Sequence, residues 1–129
     1  MKTLILPVLA LLYSAPSFAL VKLVANCETK GDEYRVVILD NEGIGMNRTE
    51  NLGVTVSDKQ GDIVASYALV RSRRGSISFG RTHFVDKETN GEKFDLAAAS
   101  TNERNLPLFM KLKDGKEIDE ENVECTGSF

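Results

Sequence analysis

The sequence contains no tryptophan and a single histidine, and aromatic residues make up only 7% of it. Sugars and bases are commonly bound by stacking on aromatic rings, so a stacking platform for either ligand is not expected. A zinc site would need two or more His or Cys ligands, whereas an acid–base catalyst would normally draw on the single histidine, His83, which by itself is a weak catalytic signal; no Gly-x-Ser-x-Gly nucleophile motif is present. The sequence therefore predicts a protein that is not an enzyme and has no metal and no cofactor.

Two further features are scarce: long apolar runs and excess positive charge. The one sustained apolar run, Leu4 to Leu12, is too short to span a bilayer, and no longer run follows it. Lys and Arg number 16 against 19 Asp and Glu, for a net charge of −3, whereas general nucleic-acid binding needs a dominant basic surface. We expect neither a transmembrane segment in the mature chain nor a nucleic-acid partner.

The first nineteen positions have the pattern of a secretory signal peptide. Lys2 supplies a basic start, the apolar run follows, and Ser17-Phe18-Ala19 places small residues at −3 and −1 of a cut. The sequence therefore predicts a signal peptide at 1–19, a single β domain at 20–129, and a periplasmic or secreted location.

The two cysteines lie near the two ends of the predicted mature chain. Export would place Cys27 and Cys125 in oxidising surroundings, so a disulfide between them is expected, with the first and last strands side by side. The alternative is lipid attachment at Cys27. It is disfavoured because Asn26 occupies the position where a bacterial lipoprotein needs a small residue.

Apolar and polar residues alternate along much of the chain, which is the period of half-buried strands. The alternating sets are Val21-Leu23-Ala25-Cys27, Tyr34-Val36-Ile38, Leu52-Val54-Val56, Ile63-Ala65-Tyr67-Leu69, Ile77-Phe79, Phe94-Leu96-Ala98 and Leu106-Leu108-Met110-Leu112. Gly, Asn and Asp cluster between them, as in turns. The segment Tyr34–Leu39 is apolar on both parities, which predicts a central strand buried on two sides. For Leu96–Glu103 a short helix and a strand leading into a loop both remain open.

This pattern predicts an all-β fold: a small antiparallel β-barrel or β-sandwich of about 7–8 short strands, closed by one disulfide between the terminal strands. A closed barrel is slightly favoured over a sandwich, because an exported protein gains from having few open edges.

An arginine-rich stretch is the best candidate for a contact surface. From Ile63 to Val85 there is no acidic residue. The same stretch contains Arg71, Arg73, Arg74, Arg81 and His83, arranged around a predicted hairpin turn at Gly75. Guanidinium groups bind carboxylate and phosphate through paired donors, so the expected partner is a protein or an anionic component of the cell envelope. The alternative is that the arginines only protect a hairpin edge or pair with the protein's own acids.

The acids concentrate at the other end of the chain. Asp114, Glu117, Asp119, Glu120, Glu121 and Glu124 share their segment with one Lys116. This run could bind a cation, attract a basic partner or simply be solvated, and it lacks the spacing of an EF-hand loop.

These observations predict an exported, non-enzymatic binding or inhibitory module that contacts an anionic partner through the arginine-rich hairpin. The alternative is a small β-barrel carrier that holds an apolar ligand in its interior. An enzyme is the least favoured class.

Overall fold

The structure is a computed structural model that describes residues 20–42, 51–74, 81–98 and 105–127. The predicted signal peptide lies outside these residues. Within them, eight antiparallel strands close into a barrel in sequence order, and β8 returns to pair with β1. The strands are β1 (Leu20–Glu28), β2 (Tyr34–Glu42), β3 (Leu52–Asp58), β4 (Ile63–Arg74), β5 (Arg81–Asp86), β6 (Phe94–Ala98), β7 (Asn105–Lys111) and β8 (Glu117–Gly127). The predicted fold class is confirmed, and the closure is that of a barrel.

The core lies inside the barrel and is made by one parity of each strand. Eight strands enclose an interior just wide enough for side chains to fill. Its largest fully buried apolar residues include Ile38, Phe84, Phe94, Leu96, Leu106, Leu108 and Met110. The predicted inward sets of β3, β6 and β7 are all buried.

The disulfide lies at the seam where the first and last strands meet. Cys27 and Cys125 are directly opposite each other in the β1–β8 ladder, and both are buried. This ladder joins Ala25–Glu28 to Glu124–Gly127 and leaves the first half of β8 without a β1 partner. The predicted disulfide is confirmed, and it links β1 to β8, whose ladder is short and has few hydrogen bonds.

One predicted strand face is wrong in its first half. Val21, Leu23, Ala25 and Cys27 were expected to share the core face of β1. A β-bulge between Leu23 and Ala25 reverses the alternation there, since an extra residue turns every preceding side chain to the other side. As a result Val24 is buried, while Val21 and Leu23 face solvent.

The prediction that β2 is buried on two sides is also wrong. In a closed barrel each strand has one face toward the core, so Val36 and Ile38 are buried while Val37 and Leu39 lie half-buried on the outside. Within the stretch for which a helix was considered, β6 continues to Ala98, and residues 99–103 lie outside the described part.

The two ends of the barrel differ. At the lower end, the connections are the 3-10 turn Lys30–Asp32 and the turns at residues 59–62, 87–93 and 112–116. Hydrogen bonds across the barrel tie this end: Lys113 N–H donates to the Val64 carbonyl at 2.8 Å, and the Tyr67 hydroxyl donates to the Lys111 carbonyl. At the upper end, the connections are residues 43–50, 75–80 and 99–104, which lie outside the described residues.

Candidate anion-binding site on the arginine arm

The arginine-rich stretch forms a projection of the barrel wall at its upper end. The last β3–β4 pair is Leu52 with Leu69, and β4 continues from there to Arg74 alongside β5. Asn51 turns toward β2 instead: its N–H donates to the Asp40 carboxylate at 2.9 Å, and its carbonyl accepts from Asn41. We call residues 70–74 of β4 and 81–85 of β5 the arginine arm.

The arm distributes its arginines over two faces. Arg71 is opposite Phe84 and Arg73 is opposite Thr82, so both continue the inward parity of β4 up to the mouth of the barrel. Arg81 occupies an outward position of β5, and the register pairs it with Arg74. The sequence predicted one group of arginines. The pleat of the strands divides this group, because successive residues of a strand alternate between faces: Arg71 and Arg73 face the mouth, whereas Arg81 faces outward.

A buried aromatic ring positions one mouth-facing arginine. The Arg71 guanidinium carbon lies 4.8 Å from the centre of the Phe84 ring, while Phe84 itself is fully buried and Arg71 is exposed. This cation–π contact holds the guanidinium group at the rim of the mouth. Arg73 is also exposed, and no hydrogen bond or ion pair joins it to another part of the described chain. Two exposed guanidinium groups therefore stand on one side of the arm.

His83 lies on the outward face and has a carboxylate partner. Its Nδ1 is 2.7 Å from Oδ1 of Asp95 on β6, and the two side chains are 20% and 22% exposed. The sequence gives no sign of the Asp95 contact, because the two residues are diagonal neighbours on adjacent strands and nothing in their spacing indicates it. The structure therefore places His83 on the outward face, away from the mouth-facing arginines and in contact with Asp95.

The surroundings of His83 give no support to a catalytic role. Ser72 stands opposite His83 on β4, yet no hydrogen bond joins the two side chains, as a nucleophile and its base would require. Within the described ranges no three His, Cys, Asp or Glu side chains come together to hold a metal ion.

The acidic run lies across the barrel from the arm. Its strand, β8, is as far from β4 around the closed sheet as two strands can be. Two of its carboxylates have local contacts: Glu120 accepts the Lys30 N–H at 3.1 Å, and Asp114 accepts the Lys116 N–H at 2.9 Å. Glu124 lies opposite another acid, Glu28. The two charged regions are therefore segregated on opposite sides of the molecule.

Two described clefts lie away from the arm. Two clefts of about 450 and 560 Å³ adjoin Tyr34 at the lower end, and both are lined by side chains of mixed charge, including Asp58 and Lys59. Acids and bases alternate around them, so they present no field of one sign to a charged ligand. The arm differs in carrying charge of one sign.

Among the described carboxylates, Asp86 has the most strongly shifted pKa, and it stabilises the fold at a position outside the arm. Burial alone would raise the pKa of Asp86, but hydrogen bonds from Thr89, Lys93 and Phe94 outweigh it and lower the pKa to about 2. Burial raises the pKa of Tyr67, whose hydroxyl bonds across the barrel. Both groups belong to the lower end, where their hydrogen bonds hold turns in place.

Comparisons with known proteins identify no relative. No family model, no curated protein and no solved structure matches this chain. Separately, none of the described residues belongs to a helix that is long and apolar enough to cross a membrane.

Proposed function

We propose that this protein is an exported, non-enzymatic binding or inhibitory module whose arginine arm contacts an anionic partner, either a protein or an anionic component of the cell envelope. The observation that carries the proposal is the pair of exposed guanidinium groups of Arg71 and Arg73 at the upper mouth, on an arm without acids. A guanidinium presents parallel N–H donors, which match the oxygens of carboxylate and phosphate groups.

Charge segregation supports the proposal. The protein has a net charge of −3, so a uniform charge distribution would repel an anionic partner. The acids of β8 lie on the opposite side of the barrel, and an anion that approaches the arm meets positive charge first. The arm can therefore both steer and hold an anionic group.

A carrier function is less well supported. A carrier of apolar ligands needs an interior that its own side chains leave empty. Here the inward positions of β5, β6 and β7 hold large buried residues, among them Phe84, Phe94 and Met110. We therefore prefer a surface contact to an interior ligand.

The experiment is equilibrium binding of inorganic polyphosphate to the wild-type protein and to Arg71→Glu/Arg73→Glu, at low and at physiological salt. We expect the double variant to lose at least about tenfold in affinity, because two attractive contacts become repulsive. The affinity of the wild type should fall as salt rises, since exposed charges are screened.

The matched control is Lys111→Glu/Lys113→Glu, which changes net charge equally at exposed positions of the lower end. It should stay within about twofold of the wild type, because these lysines lie more than a Debye length of about 8 Å from the arm. Equal losses in the two double variants would show that net charge alone attracts the probe, and the arm would then not be a site. Absence of binding by the wild type would refute the proposal directly.

A further inference from the structure

The outer surface of the first four strands carries no charge over most of its height. Its outward positions are Val21, Leu23, Asn26, Val37, Leu39, Asn41, Gly53, Thr55, Ser66, Ala68, Val70 and Ser72. Charged residues make up 27% of the whole sequence, so a face of this extent without any is unusual for this chain. We call these positions the uncharged face.

The register makes the uncharged face continuous. Leu23 is opposite Leu39, Leu39 is opposite Gly53, and Gly53 is opposite Ala68, so one row of apolar residues crosses four strands. Three large aliphatic side chains on this face are strongly exposed: Val21 at 58%, Leu23 at 49% and Val70 at 36%.

The face has a charged border at each end. Below it, Arg35 and Glu28 form an ion pair at 2.9 Å, which neutralises the charge there. Above it lies the arginine arm, whose Val70 belongs to both surfaces. An exposed aliphatic surface that has a net positive border at one end only is amphipathic in the sense that anionic membranes recognise.

We infer that the uncharged face and the arginine arm together form a surface that adsorbs to an anionic lipid bilayer. This inference rests on the proposed function and specifies its partner. The bilayer lies against the upper end of the barrel, where Arg71 and Arg73 at the rim of the mouth contact lipid phosphates, while Val21, Leu23 and Val70 on the outer side of the same end enter the boundary between headgroups and acyl chains. β8 borders the uncharged face through its ladder with β1, but its acids lie toward the lower end, where Glu117 is opposite Lys111 and Glu124 is opposite Glu28, so they are away from a bilayer that the upper end contacts.

A lipid surface suits this face better than a folded partner does. Protein interfaces are usually anchored by aromatic residues that fill pockets of the partner. The uncharged face contains no aromatic residue, and the described clefts open at the lower end and at the β1–β8 seam. A convex aliphatic surface requires no pocket when it enters a fluid bilayer.

The test is flotation with vesicles, either of phosphatidylcholine alone or of phosphatidylcholine mixed with phosphatidylglycerol. The wild-type protein should bind the mixed vesicles and not the neutral ones. The variant Val21→Ser/Leu23→Ser should bind about tenfold more weakly, because it removes two aliphatic anchors without a change of charge. It should keep the wild-type affinity for polyphosphate, because the arm is intact.

The matched control is Ile63→Ser, which removes an aliphatic side chain of equal exposure (55%) at the lower end. It should leave vesicle binding unchanged. Polyphosphate binding without vesicle binding would overturn this inference and leave the proposed function standing, while loss of both would overturn both. Vesicle binding that Val21→Ser/Leu23→Ser does not weaken would show adsorption by charge alone and refute a role for the face. A dimer that this variant dissociates would assign the face to a second copy instead.

Discussion

The carboxylate of Asp86 accepts the hydrogen bonds that hold the turn between β5 and β6. Substitution of this one residue therefore tests how the lower end of the barrel is stabilised. The side chain is 1% exposed and accepts five hydrogen bonds. Oδ2 accepts the N–H and the hydroxyl of Thr89 at 2.7 and 2.5 Å, and Oδ1 accepts the N–H groups of Gly91, Lys93 and Phe94 at 3.0–3.1 Å. We therefore expect substitution of Asp86 to loosen the whole β5–β6 connection.

The substitution to make is Asp86→Asn. Asparagine retains an oxygen for the Oδ1 set, but its amide group faces the Thr89 N–H with a donor where an acceptor is needed. One unsatisfied donor and the loss of a charged acceptor together should cost about 3 kcal/mol of unfolding free energy at neutral pH. Asp114→Asn is the control: Asp114 is exposed and accepts one hydrogen bond, so the loss should be about 1 kcal/mol or less.

The pH dependence of the free energy of unfolding tests the role of Asp86 more directly than a measurement at neutral pH alone. The pKa of Asp86 is lowered from 3.8 to about 2, so the unfolded chain binds more protons than the folded one between those values. The contribution of Asp86 is therefore complete above pH 4 to 5 and is lost as the pH falls through 2, a loss of about 2 kcal/mol.

Asparagine does not titrate, so the stability difference between the wild type and Asp86→Asn should shrink by that amount between pH 7 and pH 2. Urea unfolding followed by circular dichroism at several pH values measures this difference. A difference that stayed constant with pH would refute the assignment of the lowered pKa to these hydrogen bonds.

Two more predictions concern the β1–β8 seam. Replacement of Cys27 and Cys125 by Ala should lower the free energy of unfolding by about 3–5 kcal/mol, because the crosslink spans 98 residues of sequence; thiol titration of the unreduced, denatured wild type should find no free thiol. Gly127→Ala should cost about 2 kcal/mol or more in thermal or urea unfolding, because a Cβ there would lie 2.1 Å from the Val24 carbonyl oxygen. Gly115→Ala, also at positive φ but in open space, should cost only about 1 kcal/mol, and equal losses would contradict the steric argument.

The sequence predicted the strands well because alternation with period 2 is a local signal. Leu106, Leu108 and Met110 alternate with exposed or half-buried residues in β7, and all three are buried as expected. The bulge in β1 was not predictable in this way. Val24 and Ala25 are both apolar, and only the pairing with β2 and β8 shows that both turn inward. The position of a bulge depends on the partner strands, so the residue pattern of a single strand does not predict it.

The disulfide and the arginine arm were predictable for different reasons. Cys27 and Cys125 were the only pair available, so composition alone selected the bridge. The arm was found as a stretch without acids, but its division into two faces follows from the pairing of Arg71 with Phe84 and of Arg74 with Arg81. The uncharged face could not be predicted from the sequence. Its residues come from the outward positions of four strands, and no sequence motif is common to those four segments.

The residues that stabilise the barrel by hydrogen bonds and the residues proposed to contact a partner thus lie at opposite ends of the barrel. At the lower end, the polar groups of Asp86, Tyr67 and Lys113 form hydrogen bonds within the protein. A partner that bound these groups would have to break those hydrogen bonds, which would lower the stability of the fold. At the upper end, Arg73 has no hydrogen bond or ion pair within the described residues, and the exposed Arg71 guanidinium lies over the Phe84 ring. The exposed aliphatic residues Val21 and Val70 lie toward this same end. Binding through it therefore leaves the hydrogen bonds of the lower end unchanged, which is why substitutions in the arm should alter affinity while the free energy of unfolding stays close to that of the wild type.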